Sequence, residues 1–304
     1  MTNILKITNL SKYYGDTMVL DNVNLQIKQG DIYGLIGNNG AGKTTIMKII
    51  TGLQTPSHGT YELFATPYNS KEIARQRRRI NASLEGCSFY PSFSAYDNLV
   101  IAYKTFGLPI DDKEIKSLLE LVGLADTGKL HAEYFSLGMA RRLELAIALV
   151  SRPDFLILDE PTNGLDPEGI IFLRELILKL NKENKITFLI SSHNLDELSK
   201  VATTYGFIKK GSLIKEITKD KLNEILREKI IIKTNNITKM VSILVRKNYE
   251  YEVVDKKTII VYDVKNVTNL IILLSKNGVD ILSLEEIKEH LETYYLNLMG
   301  GQDA

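Results

Sequence analysis

Two stretches of this chain bring together residue types that handle phosphate and activate water. The first is GNNGAGKTT, Gly37 to Thr45, set between the apolar run DIYGLI and the helical run IMKIITGL. A strand before and a helix after are the setting of a phosphate-binding loop. Its glycines let successive backbone N–H groups wrap phosphate oxygens, and the following helix adds its positive N-terminal end. Asn38, Gly40, Ala41, Gly42 and Thr45 belong to that wrap, Lys43 reaches the β- and γ-phosphates, and the Thr44 hydroxyl holds Mg²⁺. The second stretch is DFLILDEPTNGLDP, Asp154 to Pro167. Its apolar residues make a buried strand that delivers Asp159 to the sheet edge where ligands bind in open α/β sheets. Asp159 then serves Mg²⁺ and leaves Glu160 to activate water. Binding and hydrolysis of a nucleoside triphosphate is the chemistry these residues suit.

Further stretches carry single residues of interest. YFSLGMARRLELAIALV, Tyr134 to Val150, sets Ser136 and Gly138 in a small turn before an amphipathic helix. SSHNLDEL places His193 just past the strand ITFLI, and KYYGD offers Tyr14 ahead of a glycine. Alone, each fits a helix cap, a satisfied polar residue or a core aromatic. SLEGCSFYP adds Glu85 and the single cysteine, Cys87, just after the basic run RQRRR.

The elements that must position these residues follow from the apolar pattern. From Asn3 to about Lys215, continuous apolar strands alternate with helical stretches, which predicts an α/β domain with a parallel sheet covered on both faces. Past the charged link KEITKDKLNEILREK the pattern becomes β-α-β-β-α-β, the order of a small ferredoxin-like α+β domain. The expected division is residues 1–215 and 216–304. A chain of 304 residues exceeds one ordinary core, in keeping with two units. A net charge of +1 gives no global attraction to nucleic acid or anionic lipid. One cysteine excludes an internal disulfide framework and suits a reducing cytoplasm. The N-terminus lacks a secretory signal pattern, and no apolar run approaches the ~20 residues of a membrane helix.

Taken in this order, the motifs resemble the ATP-binding subunit of an ABC transporter, over residues 3 to about 215. The resemblance implies a P-loop NTPase fold of the ABC type, with ATP and Mg²⁺ as cofactors and ATP hydrolysis as the activity. Tyr14 looks like the aromatic that stacks on adenine, Gly37 to Thr45 like Walker A, and FLILDE like Walker B with Glu160 as general base. Asn163 to Asp166 look like the D-loop, and His193 is similar to the switch histidine that contacts the γ-phosphate. Ser136 and Gly138 stand in the signature motif, which in this family caps the γ-phosphate bound to the opposite subunit. That implies two chains, a homodimer, sandwiching two ATP molecules. The signature here reads FSLGM where the family commonly has LSGGQ, so Leu137 replaces a glycine.

Glu85 stands five residues before Tyr90-Pro91, where the family normally has a glutamine on a loop that touches Mg²⁺ or the attacking water and contacts the membrane subunit. The carboxylate therefore either binds Mg²⁺, directly or through water, or points to a basic group on that subunit. The exchange, with a signature close to SLGM, is similar to the ATPases of bacitracin-resistance and lantibiotic self-protection exporters. This implies export of a peptide, antibiotic or other membrane-active compound through a separate transmembrane permease. The chain would then be cytoplasmic and peripheral on the inner face of the membrane. The alternative is a soluble ABC-type ATPase acting on ribosomes or nucleic acid, with Arg75 to Arg79 as a phosphate-binding patch. Ribosomal members usually carry two cassettes and this chain has one, so that run is read as a solvated helix face and no nucleic-acid partner is expected.

Overall fold

Apolar residues alternate along the first two strands and bury one face of each. β1 (Asn3–Tyr14) buries Leu5, Ile7 and Leu10, and β2 (Thr17–Lys28) buries Val23, Leu25 and Ile27. A two-residue turn, Gly15-Asp16, joins them with Tyr14 opposite Thr17. The computed structural model of the chain describes residues 2–84, 89–287 and 291–300. β4 (His58–Leu63) and β5 (Thr66–Pro67) complete an antiparallel sheet of order β2-β1-β4-β5.

The second sheet answers to continuous apolar runs rather than alternation. β3 (Ile32–Ile36), β7 (Phe155–Leu158) and β8 (Thr187–Ser192) are buried along their whole lengths, as strands covered on both faces must be. With β6 (Ile80–Ser83), β9 (Thr204–Lys209) and β10 (Ser212–Thr218) they run in the order β10-β9-β3-β8-β7-β6. All neighbours are parallel except the β9–β10 hairpin. The parallel sheet agrees with the sequence reading, and the antiparallel sheet of β1 and β2 adds a layer that reading did not include.

Among the described residues, seven α-helices connect these strands: α1 (Lys43–Ile50), α2 (Ile73–Arg77), α3 (Ala95–Thr105), α4 (Asp112–Leu121), α5 (Leu137–Leu149), α6 (Pro167–Asn184) and α7 (Leu195–Ser199). Ser94, Asp111, Ser136, Asp166 and Asn194 cap α3 to α7 by accepting from first-turn N–H groups. This is what short polar side chains do best. α1 starts at Gly42 with no side-chain cap.

The chain divides into two compact units, Met1–Lys219 and Asp220–Ala304, at the start of α8 (Lys219–Ile225). The second unit runs β11 (Lys229–Thr234), α9 (Ile237–Arg246), β12 (Tyr251–Val253), β13 (Thr258–Tyr262), α10 (Val267–Lys276), β14 (Ile281–Ile287) and α11 (Leu291–Gly300). Its sheet, β12-β13-β11-β14, is antiparallel throughout. β13 pairs between β12 and β11, the split arrangement of a ferredoxin-like domain. Ile230, Ile232, Ile259 and Val261 form its core with Met240, Leu244 and Leu270 from the helices. Among the described residues no helix is long and apolar enough to cross a membrane.

Candidate active site

The phosphate loop hangs from the end of β3, and its shape depends on glycine. Gly42 has φ +106°, and a Cβ there would come within 2.5 Å of Leu20 Cδ2. No other residue type fits that conformation and that gap. Because Gly42 has no side chain to cap α1, the first N–H groups of that helix remain available to an anion. The loop 38–45 lines a cavity of about 370 Å³ together with Val19, Glu160 and Asn163.

Buried charges meet at the base of this cavity. Lys43, Asp159 and Glu160 are only 5%, 3% and 8% exposed. Lys43 Nζ donates to Gly37 O at 2.5 Å and lies 3.0 Å from Glu160 Oε1, an ion pair without an aligned hydrogen bond. Glu160 Oε2 is 2.8 Å from His193 Nδ1. The glutamate is thus held between a cation and an imidazole, with its backbone at φ +47°. That left-handed conformation costs a non-glycine residue roughly 1–3 kcal/mol and persists only where its surroundings impose it. Asp159 accepts from Thr44 Oγ1 at 2.6 Å through Oδ2 and from Ser191 Oγ at 2.5 Å through Oδ1. Ser191 Oγ also accepts from Glu160 N at 2.8 Å.

This donor set fits Mg²⁺. Thr44 and Asp159 present a hydroxyl and a carboxylate oxygen side by side, the hard donors this ion takes. Among the described residues no group of three or more His, Cys, Asp and Glu could hold a metal. A bound cation would therefore draw its remaining ligands from phosphate and water, which is the habit of Mg²⁺ rather than of an all-protein cage.

The structure brings Asn38, Gly40, Ala41, Gly42, Lys43, Thr44, Thr45, Asp159, Glu160 and His193 to this one sheet edge. It does not bring all the other sequence candidates there. Tyr14 ends β1 half-exposed, with Lys12 Nζ 5.1 Å from its ring centroid, and is not part of the cavity wall. Ser136 and Gly138 open α5 outside the cavity, with Ser136 Oγ accepting from Met139 N at 3.2 Å. Glu85 lies outside the described residues.

Sequence reasoning assigned no role to Val19, which lines the cavity, or to Ser191, and it did not foresee a contact at Leu137. Gly164 is at φ +74°, and a Cβ there would lie 2.7 Å from Leu137 Cδ2, so the leucine side chain would have to shift. A two-serine run at the end of an apolar strand was the one available signal for Ser191. The basic run is exposed at Arg75, Arg78 and Arg79, as a solvated face should be, and only partly buried at Arg77. Arg77 donates to Tyr61 Oη at 2.7 Å, while Arg79 pairs with Asp154 at 2.7 Å and lies over the Phe64 ring.

Comparison with known proteins gives one consistent set of likenesses. A family model described as ABC transporter matches residues 20–163. The bacitracin transport ATP-binding protein BcrA of Bacillus licheniformis is 40% identical over 307 residues, covering 99% of each chain. The lantibiotic transport ATP-binding protein SrtF of Streptococcus pyogenes is 44% identical over 213 residues, 70% of this chain and 90% of that one. Among solved structures, cbiO1 from Clostridium perfringens, part of the ABC transporter complex cbiONQ, matches with a TM-score of 0.65. It is 26% identical and covers 81% of this chain and 96% of its own. The likeness to the bacitracin protein therefore extends through the second unit.

Proposed function

This chain belongs to the ABC transporter ATP-binding protein family, and from that premise we propose that it powers export of a peptide antibiotic or similar membrane-active compound. Its activity is ATP hydrolysis coupled to transport. The observation that carries the cargo class is the likeness to the bacitracin protein, at 40% identity along the whole chain. The match to a lantibiotic transport protein supports the same class.

The geometry around the cavity supports the roles of the phosphate loop and the acids, and the family resemblance supports those of Tyr14, Ser136 and Gly138. The uncapped start of α1 and Lys43 bind the triphosphate, which competes with Glu160 for the lysine ammonium. Thr44 and Asp159 hold Mg²⁺, which when bound offsets the negative charge of the phosphates. Glu160, freed from Lys43 and kept in place by His193, accepts the proton of the attacking water. Asn38, Gly40, Ala41, Gly42 and Thr45 complete the phosphate wrap, and Tyr14 takes the adenine from the end of β1. Ser136 and Gly138, outside the cavity of their own chain, serve the nucleotide of a second copy. The first unit is the ATP-binding domain and the second an accessory domain.

A separate permease holds the dimer at the inner face of the membrane, and Glu85 is assigned to coupling with it rather than to the metal. Mg²⁺ usually keeps several waters, and Thr44 and Asp159 already supply two protein ligands. Purification of the tagged chain from detergent-solubilised membranes tests the whole reading. A multispanning membrane protein should come with it, and Glu160→Gln should sensitise cells to the exported compound. Recovery with ribosomes, and unchanged sensitivity, would turn the reading to the soluble alternative.

A further inference from the structure

Ser191 is the fifth residue of β8, fully buried, and its position is fixed by parallel pairing opposite Leu35 of β3. The preceding pair, Leu158 with Ile190, brings β7 to its end just where Asp159 and Glu160 leave the sheet. An apolar side chain at 191 would suit the rest of this strand. The hydroxyl instead donates to Asp159 Oδ1 at 2.5 Å and accepts from Glu160 N at 2.8 Å. It therefore uses its one donor and one of its two acceptor sites on consecutive residues.

Two consequences follow for the acids. Asp159 is gripped at both oxygens, Oδ1 by Ser191 and Oδ2 by Thr44, so the carboxylate cannot rotate without losing a bond to one of them. Glu160 has its amide anchored at the point where its backbone adopts φ +47°, so the direction in which its side chain leaves the strand depends on that anchor. Removing the hydroxyl strands a buried carboxylate oxygen and a buried N–H together, and each is costly to leave unpaired.

We propose that Ser191 is a positioning residue for ATP hydrolysis: one buried hydroxyl orients Asp159 toward Thr44 and Mg²⁺ and holds Glu160 in its working conformation. The inference rests on the reading of Asp159 as metal ligand and Glu160 as base. It differs from a merely structural role because it acts on metal affinity and turnover as well as on stability.

The test uses the full-length chain as Ser191→Ala, Ser191→Thr and Glu160→Gln. Binding of a fluorescent ATP analogue is measured in EDTA and across a Mg²⁺ titration, together with kcat, KM and Tm. Ser191→Ala should raise the Mg²⁺ concentration for half-maximal binding about tenfold, the usual effect of losing such a supporting bond, and lower kcat by a similar factor. Affinity in EDTA should stay the same, and Ser191→Thr, which keeps the hydroxyl, should restore both quantities. If Ser191→Ala fails to fold, Ser191→Cys, with its weak S–H donor, should show the same shift. A lower Tm with unchanged Mg²⁺ dependence and kcat overturns the inference alone. Wild-type hydrolysis by Glu160→Gln overturns the reading beneath it, and the inference with it.

Discussion

Two helices of the first unit begin among glycines and small polar residues, and they meet the demands of a helix start in opposite ways. α1 begins at Gly42, with no side chain to accept from its first N–H groups and with Lys43 buried behind it. α5 begins at Ser136, whose hydroxyl already caps the helix through Met139 N, and the adjoining Leu137 is 48% exposed. An uncapped start beside a buried cation is completed by an anion from solution. A capped start on the surface is not short of an acceptor, so what it has left to offer is a donor. Capping uses one acceptor site of the Ser136 hydroxyl and leaves its O–H free to donate. On the proposed reading, one chain holds a site that binds phosphate unaided and a second surface that finishes a phosphate site presented by another copy.

The largest break in this comparison comes at Glu160. Gln keeps the size of the side chain and loses the base, so Glu160→Gln should bind ATP normally and hydrolyse it on the order of 100-fold more slowly or worse. Steady-state turnover beside equilibrium nucleotide binding checks this, and near-normal turnover would remove Glu160 from its role. The same variant, loaded with Mg-ATP, should dimerise in sedimentation, because the closed complex is no longer consumed.

Ser136→Asp then sharpens the contrast. Aspartate caps a helix about as well as serine, so Tm should hold. An ionised carboxylate cannot donate, and it repels phosphate, so the ATP-driven dimer should weaken roughly 10–100-fold, the worth of a hydrogen bond to a charged group. A dimer of undiminished affinity would mean that the start of α5 never meets the partner's nucleotide.

Much of this arrangement was legible because it is local. The phosphate loop, Asp159 and Glu160 announce themselves by a glycine pattern and by acids at the end of a continuous apolar strand, and the fold places them at the ends of β3 and β7, on either side of β8. The split β-α-β-β-α-β order of the second unit was legible for the same reason, each element being short and separately punctuated. The antiparallel sheet of β1 and β2 was missed although Val23, Leu25 and Ile27 alternate clearly, since alternation gives a buried face and not the strand it pairs with. Ser191, beyond its place in a two-serine run, and Leu137 were hard to read for a stronger reason. Ser191 matters through residues 31 and 32 positions away, and Leu137 through a glycine 27 positions away whose φ no sequence prints.

That last contact gives a moderate effect that links the two helix starts. Gly164 follows Asn163 of the cavity wall, while Leu137 opens α5, so the Leu137–Gly164 contact joins the nucleotide side to the capped turn. Gly164→Ala carries two costs, the left-handed φ of +74° and the 2.7 Å approach to Leu137 Cδ2. The first alone is about 1 kcal/mol, or about 2–4 °C in Tm for a unit of this size. Leu137→Ala removes only the second cost. The double variant should accordingly recover part of the loss, with a coupling that thermal unfolding of all four proteins measures. Strict additivity would show that the two turns do not touch.

The smallest effect is silent at neutral pH and emerges in alkali. Beside α5, the Tyr103 hydroxyl on α3 donates to Glu114 on α4 at 3.0 Å. Burial, and then that bond, push Tyr103 from its ordinary 10 up to about 12, with Arg152 pulling the other way. Near the start of β3, Tyr33 is fully buried with its hydroxyl on Glu216 at 2.8 Å, and burial followed by Glu216 raises it well above its ordinary value. In both cases the folded chain favours the neutral phenol, so the stabilisation is complete below pH 10, where the unfolded chain is also neutral. It is lost as the unfolded chain ionises first, over a window from pH 10 to about 12 for Tyr103. Between pH 9 and 11.5 the wild type should therefore lose more Tm than Tyr103→Phe, by about one or two degrees. The slope that remains in the variant includes Tyr33, and Tyr33→Phe should reduce it. If Tyr103→Phe follows the wild-type profile throughout, the α3–α4 bond is not what alkali breaks.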